Sequence, residues 1–233
     1  RSKDLIKWES VGTAFTDETR PTFEPKGNLW APDINKIGDK YVLYYSMSCW
    51  GGEWTCGIGV ATADKPEGPF VDHGMMFRSN EIGVQNSIDP FYIEDGGRKY
   101  MFWGSFRGIY GIELTADGLK VKSGADKKQI AGTAYEGTYI HKKNGYYYLF
   151  EAEGGTGPGH RITVSRSREL MGRYEPCPYN PIMRQTDEKA IIQRCGHGKP
   201  VQTQNGEWYM VYLCGRKIGD GYSILGRETA LDK

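Results

Sequence analysis

A unit that recurs four times constrains the fold of this chain more than any other feature of its sequence. Each copy passes through a tight turn and ends in an aromatic run, such as residues 41–45 and 208–212, whose composition favours β-strands. The turns are Gly38-Asp39, Gly96-Gly97, Asn144-Gly145 and Asn205-Gly206. Dipeptides of this type accept the positive φ angles of two-residue hairpins. The repeat therefore predicts four hairpins built on one scaffold.

The spacing of these hairpins predicts the architecture. The turns recur at roughly 50 residues, which is the period of a propeller blade. Behind two of the hairpins, residues 57–70 and 162–174 have the pattern of a third strand, a turn and a short edge strand. Four strands per unit are typical of a β-propeller, and almost nothing in the sequence has the pattern of a long amphipathic helix. A β-sandwich with coincidental hairpins is the alternative fold.

Both ends of the chain resemble parts of further units. Residues 1–12 match the closing pattern of residues 166–174 but have no hairpin before them, and the strand that starts at Tyr222 stops at Lys233. Counting the partial first unit gives five blades. We therefore expect an all-β, five-bladed β-propeller in which the first and last blades are incomplete. Residues 1–233 would form a single propeller domain that lacks its first inner hairpin.

Composition excludes several classes of function. The chain has 30 basic and 29 acidic residues and a net charge of +1, so no basic surplus points to a nucleic-acid partner. No apolar run approaches the length needed to cross a membrane. The five cysteines lack the paired spacing of a zinc site. We expect them to be free, with a Cys49–Cys56 bridge as the alternative.

Four different chemical groups lie at equivalent places in the repeat. Counting back about eight residues from each turn leads to Trp30, Asp89, Glu136 and His197. The innermost strands of a propeller line its axis, so we expect these side chains to share one cavity. Two carboxyl groups across a glycosidic bond can protonate the leaving oxygen and activate water. An aromatic wall suits the apolar face of a sugar ring.

Considered singly, three of these residues also have ordinary structural explanations. Glu136 lies among bulky neighbours that would raise its pKa and keep it protonated as a general acid, but it could equally be a surface carboxylate at a strand end. Asp89 precedes Pro90 and could simply open a turn. His197 could be a packed core histidine. Their common place in the repeat favours the functional interpretation.

Five segments carry a family resemblance. They are residues 29–34 (LWAPDI), 87–91 (SIDPF), 135–140 (YEGTYI), 195–198 (CGHG) and 225–229 (LGRET). In these segments, in this order, the chain resembles glycoside hydrolase family 43, the five-bladed propeller hydrolases that act on arabinan and xylan side chains. Residues 152–157 and 211–216 look more like the α-L-arabinofuranosidase and β-xylosidase branch than like endo-arabinanases.

The resemblance implies a role for each site residue. Glu136 resembles the general acid, and Asp89 resembles the second acidic residue, which tunes the pKa of the acid. Trp30 resembles a wall of the sugar subsite, and Arg227 the arginine that reaches sugar hydroxyls. His197 resembles the axial histidine, which in some members borders a central metal ion, often calcium, directly or through water. No cofactor is required, and a Ca²⁺ ion at the axis is a possible addition.

The general base of the family has no counterpart in this sequence. Asp4 and Asp17 fall in the expected closing strands, on the outer side of the first blade, and Asp33 is expected to hold the turn after Pro32. We therefore expect an inverting glycosidase that removes arabinosyl or xylosyl units from plant cell-wall polysaccharides or oligosaccharides, with its base aspartate upstream. The alternatives are a non-catalytic carbohydrate-binding propeller and a protein-interaction propeller. The acidic site argues against the latter.

Overall fold

The computed structural model describes residues 1–233, which form fifteen strands and one short helix. Blade 1 contains β1 (Asn28–Ile37), β2 (Lys40–Ser48), β3 (Gly57–Ala63) and β4 (Val71–Arg78), followed by α1 (Ser79–Ile82). Blade 2 contains β5 (Phe91–Asp95), β6 (Arg98–Trp103), β7 (Ile109–Glu113) and β8 (Lys128–Ala131). Blade 3 contains β9 (Tyr135–Lys143), β10 (Tyr146–Glu153), β11 (Arg161–Ser167) and β12 (Glu175–Pro176). Blade 4 contains β13 (Ile192–Gln202), β14 (Trp208–Ile218) and β15 (Gly221–Asp232).

Each blade is an antiparallel meander whose strands pair in chain order. The first strands β1, β5, β9 and β13 contact one another in succession and form the inner layer. Apolar clusters fill the space between blades: one joins β2 and β3 to β6 and β7, and another joins blade 2 to β9 and β10. A third, smaller cluster joins β11 to β13 and β14. The sheets pack face to face around a layer formed by their first strands, and the fold is therefore a β-propeller, as predicted.

The number of blades differs from the prediction. The chain forms four blades, of which the last has three strands, whereas the sequence suggested five. Residues 1–27 form no strand, so the closing strands expected around Asp4 and Asp17 are absent. Instead Phe15 and Phe23 lie against the apolar cluster of blade 1. Within residues 1–233 this segment therefore pairs with no neighbouring strand.

Three of the four predicted turns are two-residue hairpins. Gly38, Gly96 and Asn144 each follow an inner strand directly, with φ angles of 59°, 57° and 51°. The fourth is a five-residue loop between Gln202 and Trp208, closed by the N–H of Thr203 donating to the Glu207 carbonyl at 2.8 Å. All five cysteines are free, as expected. The structure contains no helix with the length and apolar character that a membrane crossing needs.

Candidate active site

The inner strands share one irregularity at the residues that the repeat singles out. A residue with positive φ lies at the corresponding place of each blade: Ala31 (31°) in β1, Asp89 (60°) two residues before β5, Gly137 (65°) near the start of β9 and His197 (50°) in the middle of β13. The strand pairing of β1, β9 and β13 shifts register at these places, as in a β-bulge. The predicted equivalence is thus correct to within one residue. Asp89 and His197 are the left-handed residues themselves, whereas Trp30 and Glu136 immediately precede them.

These irregular positions surround a cavity of about 780 Å³. All five residues chosen from the sequence line it: Trp30, Asp89, Glu136, His197 and Arg227. The volume lies within the range of ordinary ligand sites and leaves room for more than one sugar ring. The structure therefore brings together every side chain that the sequence placed in the site.

Asp89 is the most deeply buried acid of the cavity, with 5% of its surface exposed. Its Oδ2 accepts a hydrogen bond from the N–H of Gly137 at 3.1 Å, and its own N–H donates to Ser46 Oγ at 2.9 Å. Burial raises the pKa of Asp89, while the Gly137 N–H and the positive charges of Lys199 and Arg227 oppose the rise. These opposing groups favour the carboxylate form.

Glu136 is half-buried beside Asp89, and its Oε2 accepts a hydrogen bond from Ser105 Oγ at 3.1 Å. Burial raises the pKa of Glu136, and the negative charge of Asp89 raises it further. The Ser105 hydroxyl and the charge of Arg227 lower it only in part. Because two neighbouring carboxyl groups resist double ionisation, one proton is held on the pair, and the donors around Asp89 direct it to Glu136.

His197 packs directly on the residue that follows the candidate acid. A Cβ atom at Gly137 would stand 2.5 Å from the His197 ring, so only glycine leaves room for this contact. Burial and the charges of Lys199 and Arg227 lower the pKa of His197 to about 3, which leaves the ring neutral. His160 lies nearby, with its pKa lowered to about 4 mainly by burial. Both rings are therefore neutral, and His160 Nδ1 lies 2.9 Å from the Arg194 carbonyl.

The surroundings of His197 do not fit a directly coordinated calcium ion. No three His, Cys, Asp or Glu side chains in the structure are grouped so that they could hold a metal ion. Calcium prefers six to eight oxygen ligands, whereas Lys199 and Arg227 bring positive charge toward the ring. A more distant ion that reaches His197 through water stays a prediction.

Asp33 connects three blades through its carboxylate. Its Oδ1 lies 3.1 Å from Lys199 Nζ in blade 4, and its Oδ2 accepts the N–H of Tyr92 in blade 2 at 2.8 Å. Asn35 donates to the same Oδ2 at 2.8 Å. The structural role predicted for Asp33 is correct, but it stabilises the contact between blades rather than a local turn.

The sequence analysis missed two polar residues that act on the carboxyl pair, Lys199 and Ser105. Lys199 lies two residues after His197 on β13, but the register of this strand shifts between Gly196 and Lys199, so simple alternation does not predict where its side chain points. Ser105 follows β6 and reaches Glu136 across the boundary between blades 2 and 3. No local signal in the sequence indicates such a contact.

The two remaining predicted residues flank the opening of the cavity. Trp30 is half-buried, and its ring centroid stands 5.6 Å from that of Trp50. Arg227 on β15 is exposed and takes part in none of the ion pairs of the structure. An unpaired guanidinium at the edge of a cavity can donate hydrogen bonds to ligand oxygens.

Comparison with known proteins assigns the chain to a family. The sequence model of glycosyl hydrolases family 43 matches residues 1–233. Xylan 1,3-beta-xylosidase of Vibrio sp is 39% identical over 265 residues, covering 100% of this chain and 48% of that protein. Non-reducing end alpha-L-arabinofuranosidase BoGH43B of Bacteroides ovatus is 32% identical over 250 residues, covering 99% and 43%.

Among solved structures, the GH43 BlXynB protein from Bacillus licheniformis has a TM-score of 0.83 at 39% identity. The match covers 99% of this chain and 46% of that one. The chain thus spans about half the length of the curated relatives it matches. Since the family match extends over all of its residues, the chain belongs to glycosyl hydrolases family 43.

Proposed function

We propose that the protein is an inverting glycoside hydrolase that removes arabinosyl or xylosyl units from plant cell-wall polysaccharides or oligosaccharides. The observation that carries this proposal is the pairing of Glu136 with Asp89 through Gly137. Asp89 accepts the N–H of the residue next to Glu136, so its charge is fixed beside the acid and raises the pKa of Glu136. The names of the relatives, a xylosidase and an arabinofuranosidase, support the sugar class.

In this mechanism Glu136 is the general acid. Its proton moves to the glycosidic oxygen as the bond from that oxygen to the anomeric carbon breaks, while a water attacks the opposite face of the sugar. The Ser105 hydroxyl holds the carboxyl group of Glu136 in position. Trp30 covers the apolar face of the terminal sugar, Arg227 binds its hydroxyls, and His197 lines the axial side of the same subsite.

The base that activates the water is assigned to a part of the protein outside this chain. Glu53 is the third carboxyl group among the cavity residues, but it stands at the mouth and is already bound by Gln85 at 2.6 Å and Arg107 at 3.3 Å. We infer that the whole protein completes a fifth blade, whose inner strand carries an aspartate. Inversion requires that this aspartate lie about 6.5–9.5 Å from Glu136.

The first experiment is hydrolysis of a panel of arabinosyl and xylosyl aryl glycosides by the full-length protein. Glu136→Ala should lower kcat by about 10²–10⁴ while sugar binding, measured by calorimetry, is retained. The loss should shrink for activated leaving groups such as dinitrophenol, which need no protonation. Glu53→Gln, in the same cavity, is the matched control and should keep near-normal turnover. Near-normal turnover by Glu136→Ala would refute the assignment of the acid.

The second experiment tests Asp89 through the pH profile. The active form requires protonated Glu136, so activity falls as pH rises through the pKa of that group. Asp89→Asn removes the negative charge that raises this pKa, and the alkaline limb should move to lower pH. It should also lower kcat strongly with no change in the unfolding midpoint. An alkaline limb that stays in place would contradict the role of Asp89.

One alternative is a protein that binds sugars in this cavity but does not hydrolyse them. A carbohydrate-binding propeller without a base is favoured by one observation, namely that no residue of this chain can be assigned to that role. It predicts that the full-length protein binds arabinosyl or xylosyl oligosaccharides and hydrolyses none of the panel. A protein-interaction propeller predicts neither binding nor hydrolysis, and the buried acidic pair argues against it.

A further inference from the structure

Trp50 is the most exposed large hydrophobic side chain of the protein, with 86% of its surface open to solvent. It lies in the loop of residues 49–56, which connects β2 to β3. The same side chain lines the catalytic cavity and faces the ring of Trp30 at 5.6 Å and an interplanar angle of 53°. Trp50 therefore adds a second, solvent-exposed aromatic face beside Trp30 at the same cavity.

Hydrogen bonds hold the 49–56 loop in one conformation. The N–H groups of Thr55 and Cys56 both donate to the Gly52 carbonyl, at 3.0 and 2.9 Å. The N–H of Asn86, in the segment before blade 2, donates to the Glu53 carbonyl at 2.7 Å and ties the loop to the neighbouring blade. Trp50 is therefore presented on a fixed support. A ligand that contacts it has no loop to order, which favours binding.

Trp50 also separates two cavities. On its outer side a shallower cavity of about 470 Å³ is lined by Trp50, Glu24, Lys26 and Thr55. Cys49 and Gly51 line both cavities, so the two are continuous around the indole ring. Trp30 and Trp50 thus both line the cavity of the carboxyl pair, and Trp50 also lines the second cavity together with the polar Lys26 and Thr55. An oligosaccharide needs this combination of aromatic faces and hydrogen-bonding groups.

We propose that Trp50 is the platform for the second sugar of an oligosaccharide whose terminal sugar lies against Trp30 and Glu136. This inference rests on the proposed function and names the part of the substrate beyond the scissile bond. The apolar face of the second ring stacks on the indole, and the exposed Lys26 and Thr55 form hydrogen bonds with hydroxyls farther along the chain. Continuity with the catalytic cavity favours a sugar over a protein segment.

Binding in an inactive background tests this inference. The full-length protein carrying Glu136→Gln is titrated calorimetrically with xylose, arabinose, 1,4-β-xylotriose and 1,5-α-arabinotriose. Adding Trp50→Ala should weaken the trisaccharide that binds by about tenfold, the effect of one lost aromatic contact. It should leave the affinity for the matching monosaccharide within twofold. Because Trp50 is exposed, the variant should fold normally, which circular dichroism and the unfolding midpoint check.

Trp54→Ala is the matched control. Trp54 belongs to the same loop and has 51% of its surface exposed, but it lines neither cavity. Its removal should change neither affinity. Unchanged trisaccharide binding in Trp50→Ala, or an equal loss for the monosaccharide, would overturn the inference while leaving the proposed function intact. If the parent protein binds no sugar and the unmutated enzyme hydrolyses none, the proposed function itself fails.

Discussion

Glu151 offers a quantitative test of how burial acts on this fold. It lies on β10 with 3% of its surface exposed, and its buried Oε1 has no hydrogen-bond partner. Its strand neighbour Thr163 on β11 and nearby Thr138 on β9 also carry unpartnered buried hydroxyls. Burial and the charge of Glu153 raise the pKa of Glu151 to about 8 from an ordinary value of 4.5. The folded protein therefore keeps a proton that the unfolded chain loses.

The sign and size of the effect follow from linkage. Between these two pKa values the folded state binds more protons than the unfolded state, so stability falls as pH rises. Each pH unit within the window costs about 1.4 kcal/mol. From pH 5 to pH 7 the loss amounts to about 2.5 kcal/mol, since the lower limit lies close to the unfolded pKa. Glu151→Gln removes this dependence because the amide does not titrate.

Urea unfolding of wild type and Glu151→Gln at both pH values measures the difference directly. The free energy of unfolding of the variant should gain about 2.5 kcal/mol relative to wild type between pH 5 and pH 7. Glu175→Gln, an exposed change on β12 of the same blade, is the control and should show no such gain. A constant difference between variant and wild type would show that Glu151 is ionised and hydrogen-bonded in the fold. That result would refute the reasoning.

Two further predictions concern the residues that hold the site together. Gly137→Ala places a Cβ against the His197 ring at a backbone φ of 65°. It should lower the free energy of unfolding by about 1–3 kcal/mol and reduce turnover. An unchanged free energy of unfolding in urea would contradict the close contact between Gly137 and His197. Asp33→Ala leaves Lys199 and the N–H of Tyr92 without their acceptor at a half-buried site. This substitution should lower the free energy of unfolding by about 2–4 kcal/mol. A urea unfolding midpoint equal to that of wild type would show that the packing of the blades does not depend on this contact.

The hairpins could be predicted because their turns are local. Gly96-Gly97 and Asn144-Gly145 both adopt positive φ at each turn residue, which few other dipeptides allow. Asn205-Gly206 looks the same in sequence but lies inside a longer loop. There Thr203 closes the loop through its backbone and accepts the N–H of Glu207 at its hydroxyl, at 3.1 Å. The dipeptide alone carries no information about that closure.

Apart from Arg227, which the family resemblance indicated, the residues of the site were predictable only where they follow the repeat. Asp89, Glu136 and His197 occupy equivalent places, so counting from the turns was enough to find them. Ser105 and Trp50 belong to segments outside the inner strands, and their positions depend on how one blade meets the next. The expected closing strands at residues 1–12 are absent for a similar reason, because this segment has the composition of such strands but meets no partner strand within residues 1–233.

The repeated left-handed residue explains how one scaffold carries four different groups. A non-glycine residue with positive φ usually costs of order 1 kcal/mol, yet Ala31, Asp89 and His197 all adopt it. Aspartate and histidine adopt this conformation more readily than most residues, whereas Ala31 has no such tendency and lies at a register shift between β1 and β2. The backbone conformation then sets the direction of each side chain, while the type of side chain can differ from blade to blade. Gly137 is the exception, since the ring of His197 occupies the space that its side chain would need. A substitution at the Ala31 or Asp89 position can therefore change the chemical group in the cavity without a steric clash with His197. A substitution at Gly137 cannot, because any side chain there would clash with the His197 ring.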